Sequence, residues 1–432
     1  MPDPEPEKKP GPEPGKKPEE SSSTKKAFSI AYELSKEAFF TLFPKSNYES
    51  TVYYYVTIII IILVLLILFG WIYDRLDLQQ RSCNKLKMFY KSNIGRSYFV
   101  TMNSVVASTS APTNTNKFDI SNSILKNYYV KSAYNCCCGD GYKNNFVNLC
   151  ALEKCISNGC RFLDFQVFSY NNVPIIASST TNNNYIKETY NSLTLEEILT
   201  TITSKAFDAV YTNCNRDPLI LNFRIMSTNL TMLEKMGELF ETHLDTGSEG
   251  VDSFRLMKQH NYKNGTILSV QMKDLYKTII IICDFYPSNS ILERTPELAT
   301  LATYISLKGK SDFCKTYRHS EIVGKTTQFF SETKRNFVIV LPDLNNSIYN
   351  DEYASSFSYG CNAIAMKYQT KDNNLTQYIT QFTNEDNYSW ILKRNHLISE
   401  VPTNFAIIPF TSHNTVVGTE LRTTIQNLLA GG

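Results

Sequence analysis

Three consecutive cysteines, Cys136-Cys137-Cys138, stand in the stretch KSAYNCCCGD, and Cys150, Cys155 and Cys160 follow soon after. Thiolates ligate soft metals and carry redox exchange, so these positions are the first to weigh for chemistry. Zinc sites favour cysteine pairs about two to four residues apart. Cysteines five apart on a helix turn by ~140° each time, so Cys150, Cys155 and Cys160 share no face. Structural thiols are therefore favoured over a metal site or a redox site. Histidines are few: His243, His260, His319, His396 and His413. Lys367 and Lys393 close two apolar stretches and are expected to be solvated, and Asp343 in VLPDLNNS is expected in a strand-to-helix loop.

Those residues need a scaffold, and the 432-residue chain is long enough for one large domain with accessory segments. Its net charge of +2 leaves no nucleic-acid footprint and implies no acidic substrate. Eleven cysteines, odd in number and irregularly spaced, do not form a disulfide framework and suit a reducing compartment. Asn-x-Ser/Thr sequons begin at Asn229, Asn264, Asn345, Asn374 and Asn387, weak evidence of glycosylation in so Asn-rich a chain.

Residues 1–26 are a Pro/Glu/Lys/Ser tail with nothing to bury, expected to be disordered. Residues 27–51 carry apolar positions at helical spacing and are expected to form a juxtamembrane helix, against a membrane surface or simply amphipathic. Val52 to Tyr73, VYYYVTIIIIILVLLILFGWIY, has no charge and at ~1.5 Å per residue can cross a ~30 Å hydrocarbon layer. Tyrosines at one end and Trp71 and Tyr73 at the other mark its interfaces. Lys36 and Lys45 precede the span, whereas Arg75, Arg81, Lys85, Lys87 and Lys91 follow it. That asymmetry predicts a single-pass protein with its C-terminal part on the cytoplasmic side. Residues 74–122 are expected to be a linker.

From residue 123 short apolar segments alternate with helix-like ones. The expected strands are NYYVKSAY, CRFLDFQVF, VPIIAS, PLILNFRI, TIIIICDF, FVIVLPD, CNAIAMKYQ and SWILKR. Ser192–Ala206 and Asn229–His243 are expected helices. Eight strands, several of them unbroken apolar runs, predict an α/β fold of the TIM-type (β/α)8 barrel kind, with its site at the C-terminal strand ends.

FVNLCALEKCISNGCRFLDFQVFSYNNVPII (146–176) and DPLILNFRI (217–225) resemble the X region of phosphoinositide-specific phospholipase C. YGCNAIAMKYQT (359–370) and SWILKRNHL (389–397) resemble its Y region. The resemblance covers about residues 120–400, as an X-like half at 123–285 and a Y-like half at 286–400, with a C-terminal extension at 401–432. A barrel on a membrane anchor also resembles phospholipase-like proteins of large DNA viruses. No pleckstrin-homology, EF-hand or C2 module is recognised.

The resemblance implies phosphodiester cleavage by internal attack of an inositol hydroxyl, with two histidines and a calcium ion held by one Asn and three acids. Carried over by motif, the first histidine falls on Tyr134 and the second on Ser178. The metal-ligand Asn is kept as Asn135, and the acids become Asp164, Gln166 and Arg224. The family's lysines for inositol phosphates have almost no counterpart in TIIIICD, and none of the five histidines falls where the mechanism needs one. A positioned acid or base contributes about 10²–10⁴-fold. Calcium is therefore not expected, and Arg224 is expected to pair with Asp164 or to grip a phosphate itself. The favoured reading is a membrane-anchored, catalytically impaired phospholipase C-like protein acting as scaffold or binder of an inositol phospholipid headgroup. The alternatives are an active phosphodiesterase with a rearranged site and a structural membrane protein, for instance of a virion.

Overall fold

The structure is a computed structural model that describes residues 49–91, 95–97, 123–181, 186–245, 254–258, 262–286, 290–384 and 388–398. The tail 1–26, most of the 27–51 helix, most of the 92–122 segment, the 401–432 extension, His260, His413 and the sequon at Asn387 lie outside the described residues. The chain divides into one unit up to Leu76 and another from Asp77 onward.

Helix α1 runs from Glu49 to Phe89, 41 residues without interruption. It is long and apolar enough to cross a membrane, with a mean hydropathy of 3.0 over its most apolar stretch. Ile67 (72% exposed) and Phe69 (65%) are typical of this stretch, whose apolar side chains are exposed among the described residues. The helix does not stop at Tyr73: residues 74–89, expected as linker, are helical. The segment DRLDLQQRSCNKLKMF is rich in good helix formers, and Arg81 pairs with Asp77 one turn back (Nε to Oδ2, 3.1 Å).

Among the described residues the second unit is built on twelve strands in one sheet. In chain order they are β1 (Tyr128–Ala133), β2 (Phe162–Tyr170), β3 (Val173–Ala177), β4 (Leu193–Thr194), β5 (Leu219–Ile225) and β6 (Arg255–Leu256). They continue as β7 (Thr278–Phe285), β8 (Leu307–Lys308), β9 (Cys314–Arg318), β10 (Phe337–Leu341), β11 (Ala363–Met366) and β12 (Trp390–Leu392). Parallel pairing joins β8, β7, β5, β2, β1, β11, β10 and β9 in that order, the eight staves of a TIM-type wall. No ladder joins β8 to β9 among the described residues.

Two expected staves lie outside this wall. VPIIAS is β3, which folds back antiparallel on β2 through the Asn171-Asn172 turn, where both residues have positive φ (48° and 60°). Such a turn matches the strand twist and makes a hairpin rather than a crossover. SWILKR is β12, antiparallel to β1. Their places are taken by β8, two residues long, and by β9, whose sequence CKTYR is half-exposed and too polar to stand out.

Helices cover the wall. Asn148 caps α2 (Leu149–Ser157) by accepting from Ala151 N at 2.7 Å. Thr194 and Glu197 form a capping box on α3 (Leu195–Lys205), and Asn229 caps α4 (Leu230–Leu244). Further round are α5 (Ala299–Tyr304), α6 (Phe329–Arg335) and α7 (Asn373–Asn384). Strand β7, TIIIICDF, is buried along its whole length, as a central parallel strand covered on both faces must be.

Candidate functional site

Strand register sets the site. Asp164 of β2 lies beside Asn222 of β5. One step toward the C-terminal ends, Gln166, Arg224 and Asp284 stand side by side on β2, β5 and β7. All five are buried. After β1 the chain turns at Asn135, whose φ of 42° is one that asparagine tolerates. The turn is held by Cys138 N donating to Asn135 O (2.9 Å) and Cys136 N donating to Asp164 O (3.0 Å). Gln369 supports it, with Nε2 donating to Cys138 O at 3.1 Å.

Arg224 and Asp164 meet in a two-pronged ion pair. Nε donates to Oδ1 at 2.9 Å and Nη2 to Oδ2 at 2.8 Å. Nη2 also donates to Asn135 Oδ1 at 2.7 Å. The carboxylate further accepts from Asn222 Nδ2 (2.8 Å) and Asn135 N (3.1 Å). Asn135 Nδ2 reaches Gln166 Oε1 and Ser178 Oγ, both at 3.3 Å. The guanidinium carbon lies 4.8 Å from the centre of the Tyr134 ring, a cation–π contact. Burial opposes the charge on Arg224, but Asp164 beside it outweighs that and raises the pKa further, so the guanidinium stays charged.

The six expected site residues, Tyr134, Asn135, Asp164, Gln166, Ser178 and Arg224, therefore converge. Ser178 arrives from the end of the β3 hairpin rather than from a stave. Asn222, Asp284 and Gln369 were not singled out from the sequence. Asn222 could have been, since it lies two residues before Arg224 and so on the same face of β5. At the rim, Lys310 Nζ lies 3.3 Å from Asp284 Oδ2 and 3.7 Å from the centre of the Tyr286 ring.

The residues present do not fit a calcium ion. Both Asp164 oxygens and Asn135 Oδ1 are engaged by Arg224, Gln166 is a neutral amide, and the Arg224 guanidinium brings a fixed positive charge. The void bounded by Asn135, Cys138, Asp164, Gln166 and Ala177 admits no water-sized sphere.

Other expectations are corrected. Lys367 is buried, not solvated, with Nζ donating to Ser347 O and Tyr349 O at 2.9 Å. Lys393 is buried too, donating to Thr333 O at 3.2 Å. His319 does stand at a strand end, since it follows β9 directly, but it is not among the partners of Asn135, Asp164 or Arg224. Asp343 lies in a loop after β10 and accepts from Ser320 Oγ at 2.8 Å. Cys136, Cys137 and Cys138 are buried thiols. Burial pushes Cys138 up to about 12 even though Ser178 and Arg224 pull it down, so the free thiol keeps its proton near neutral pH. Cys83 and Cys150, by contrast, are joined in a disulfide, so the chain is not the fully reduced set expected.

Comparison with solved structures finds the same barrel elsewhere. PLC21 of S. officinalis matches with a TM-score of 0.50 at 15% identity, over 64% of this chain and 38% of its own. The chain has the phospholipase C barrel fold. PLC21 of L. pealei (TM-score 0.47, 14% identity, 64% of this chain and 38% of its own) is also similar. So is the calcium-dependent phosphoinositol-specific phospholipase C of Pseudomonas sp. (0.39, 10%, 64% and 97%). The matched region is thus 38% of the length of each PLC21 chain. No family model and no curated protein matches the sequence. Within the phospholipase C barrel, Arg224 is the feature that sets this mouth apart from the expected metal-binding arrangement.

Proposed function

We propose that this chain is a membrane-anchored protein of phospholipase C fold that does not hydrolyse phosphodiesters and serves as a scaffold. The carrying observation is the Arg224–Asp164–Asn135 lock. This internal ion pair involves the residues to which the resemblance would assign the phosphate and metal, which supports the reading. Tyr134 and Ser178, at the positions where the resemblance puts the two acid–base histidines, offer a phenol and an alcohol in place of imidazoles. Removing both groups of a cooperating pair leaves little activity. The exposed apolar stretch of α1 supports the anchor.

The test is hydrolysis of phosphatidylinositol and its phosphates by the full-length chain in mixed micelles, with and without calcium. The expected result is no turnover above the blank. Turnover that Asp164→Ala abolishes would overturn the proposal.

A second reading, a headgroup binder, rests on two buried donors. Arg224 Nη1 and Gln166 Nε2 have no hydrogen-bond partner, and their residues are cross-strand neighbours. An anionic oxygen would give such donors a partner once the closed mouth opens to admit it. Binding of inositol 1-phosphate that Arg224→Lys weakens would favour this reading over a sealed scaffold.

A further inference from the structure

The end of α1 is part of the barrel unit. Ser82, Leu86 and Tyr90 on its last turns and just beyond are buried. Lys85 pairs with Asp140 (2.5 Å), Asn148 Nδ2 donates to Ser82 Oγ (3.3 Å), and Tyr90 Oη donates to Tyr368 O (3.0 Å). Gly139 permits the approach, since a Cβ there would lie 2.5 Å from Ser82 Oγ. Across this contact Cys83 of α1 is bonded to Cys150 of α2, closing 67 residues of chain.

We infer that the Cys83–Cys150 disulfide is a permanent clasp and that the barrel faces an oxidising, non-cytosolic space. One observation carries this and a second is compatible with it. The first is the bond itself, between two half-buried cysteines on different elements. Disulfides persist in oxidising compartments and are rare where thiol buffers keep cysteines reduced. The second is where the other thiols lie. The remaining nine cysteines are free and every one is buried. No accessible thiol is therefore left to be oxidised or to cross-link, so these cysteines are compatible with an oxidising space. The five cations after the span predict the cytosolic side. That charge bias is a tendency of insertion with known exceptions, and Arg81 and Lys85 are engaged by Asp77 and Asp140. A disulfide, by contrast, requires an oxidant: two thiols lose two protons and two electrons to a disulfide-exchange partner.

The full-length chain with a C-terminal tag should be made in cells and its membranes denatured in N-ethylmaleimide, then reduced and treated with a polyethylene-glycol maleimide. Two adducts are expected, and none in Cys83→Ser or Cys150→Ser. In sealed vesicles with their cytosolic face outward, the tagged barrel should resist added protease until detergent is present. The wild-type readouts stand even if a variant misfolds. Absence of adducts in wild type would overturn the inference, and so would digestion of the barrel in sealed vesicles.

Discussion

Arg224 and Asp164 face each other from neighbouring strands, both fully buried, with two hydrogen bonds of 2.9 and 2.8 Å between them. The pair ties β2 to β5 through a buried two-pronged contact and leaves Arg224 Nη1 without a hydrogen-bond partner. Its consequences are open to measurement.

Breaking the pair from one side should be costly. Arg224→Met leaves the Asp164 carboxylate buried without its counter-ion, at about 3–5 kcal/mol. The double variant Arg224→Met, Asp164→Asn removes the stranded charge and should recover much of that loss. Urea denaturation of the two variants checks this. Equal loss in both would mean that packing rather than charge holds the site.

Reversing the charge should create what the mouth lacks. Arg224→Glu puts a second carboxylate beside Asp164 and Asn135, and the protein should be less stable than wild type. Millimolar calcium should then raise its thermal midpoint by several degrees while leaving wild type unmoved. Differential scanning fluorimetry with calcium against magnesium reads this directly.

Lys393 supplies a pH dependence. Burial carries its ammonium down to about 7, against ~10.4 in the unfolded chain. Between those values the unfolded state holds a proton that the folded state does not. Stability should therefore fall as pH drops from about 10 to 7 and level off below. Lys393→Met should remove this slope, gaining roughly 3–4 kcal/mol more over wild type at pH 7 than near pH 10. Parallel slopes for the two proteins would refute it.

The capping box on α3 gives a local test. Thr194 Oγ1 accepts from Glu197 N at 3.2 Å while Glu197 Oε2 accepts from Thr194 N at 2.7 Å. Thr194→Ala should cost ~1 kcal/mol. Ser should restore most of it, as read by chemical denaturation.

What the sequence revealed follows from burial. PLILNFRI and TIIIICDF are recognisable because strands covered on both faces read as unbroken apolar runs. Strand β9 escaped because CKTYR is half-exposed, and β8 because it is two residues long. VPIIAS misled in the other direction: it is apolar enough for a stave, yet the paired asparagines before it were a hairpin signal. In the site, resemblance located Asn135, Asp164 and Arg224. Asp284 lay inside a recognised strand, and its importance comes from its register with Arg224, which no single sequence states.

The unlaced seam between β8 and β9 gives the barrel a place to breathe. Lys310 stands in the turn that crosses it, at a φ of 55°, with its ammonium against Asp284. Local openings begin where ladder bonds are missing, so the first motion of the wall loosens Lys310. An opening there would lie beside a buried carboxylate, Asp284, which both Lys310 and Tyr286 face.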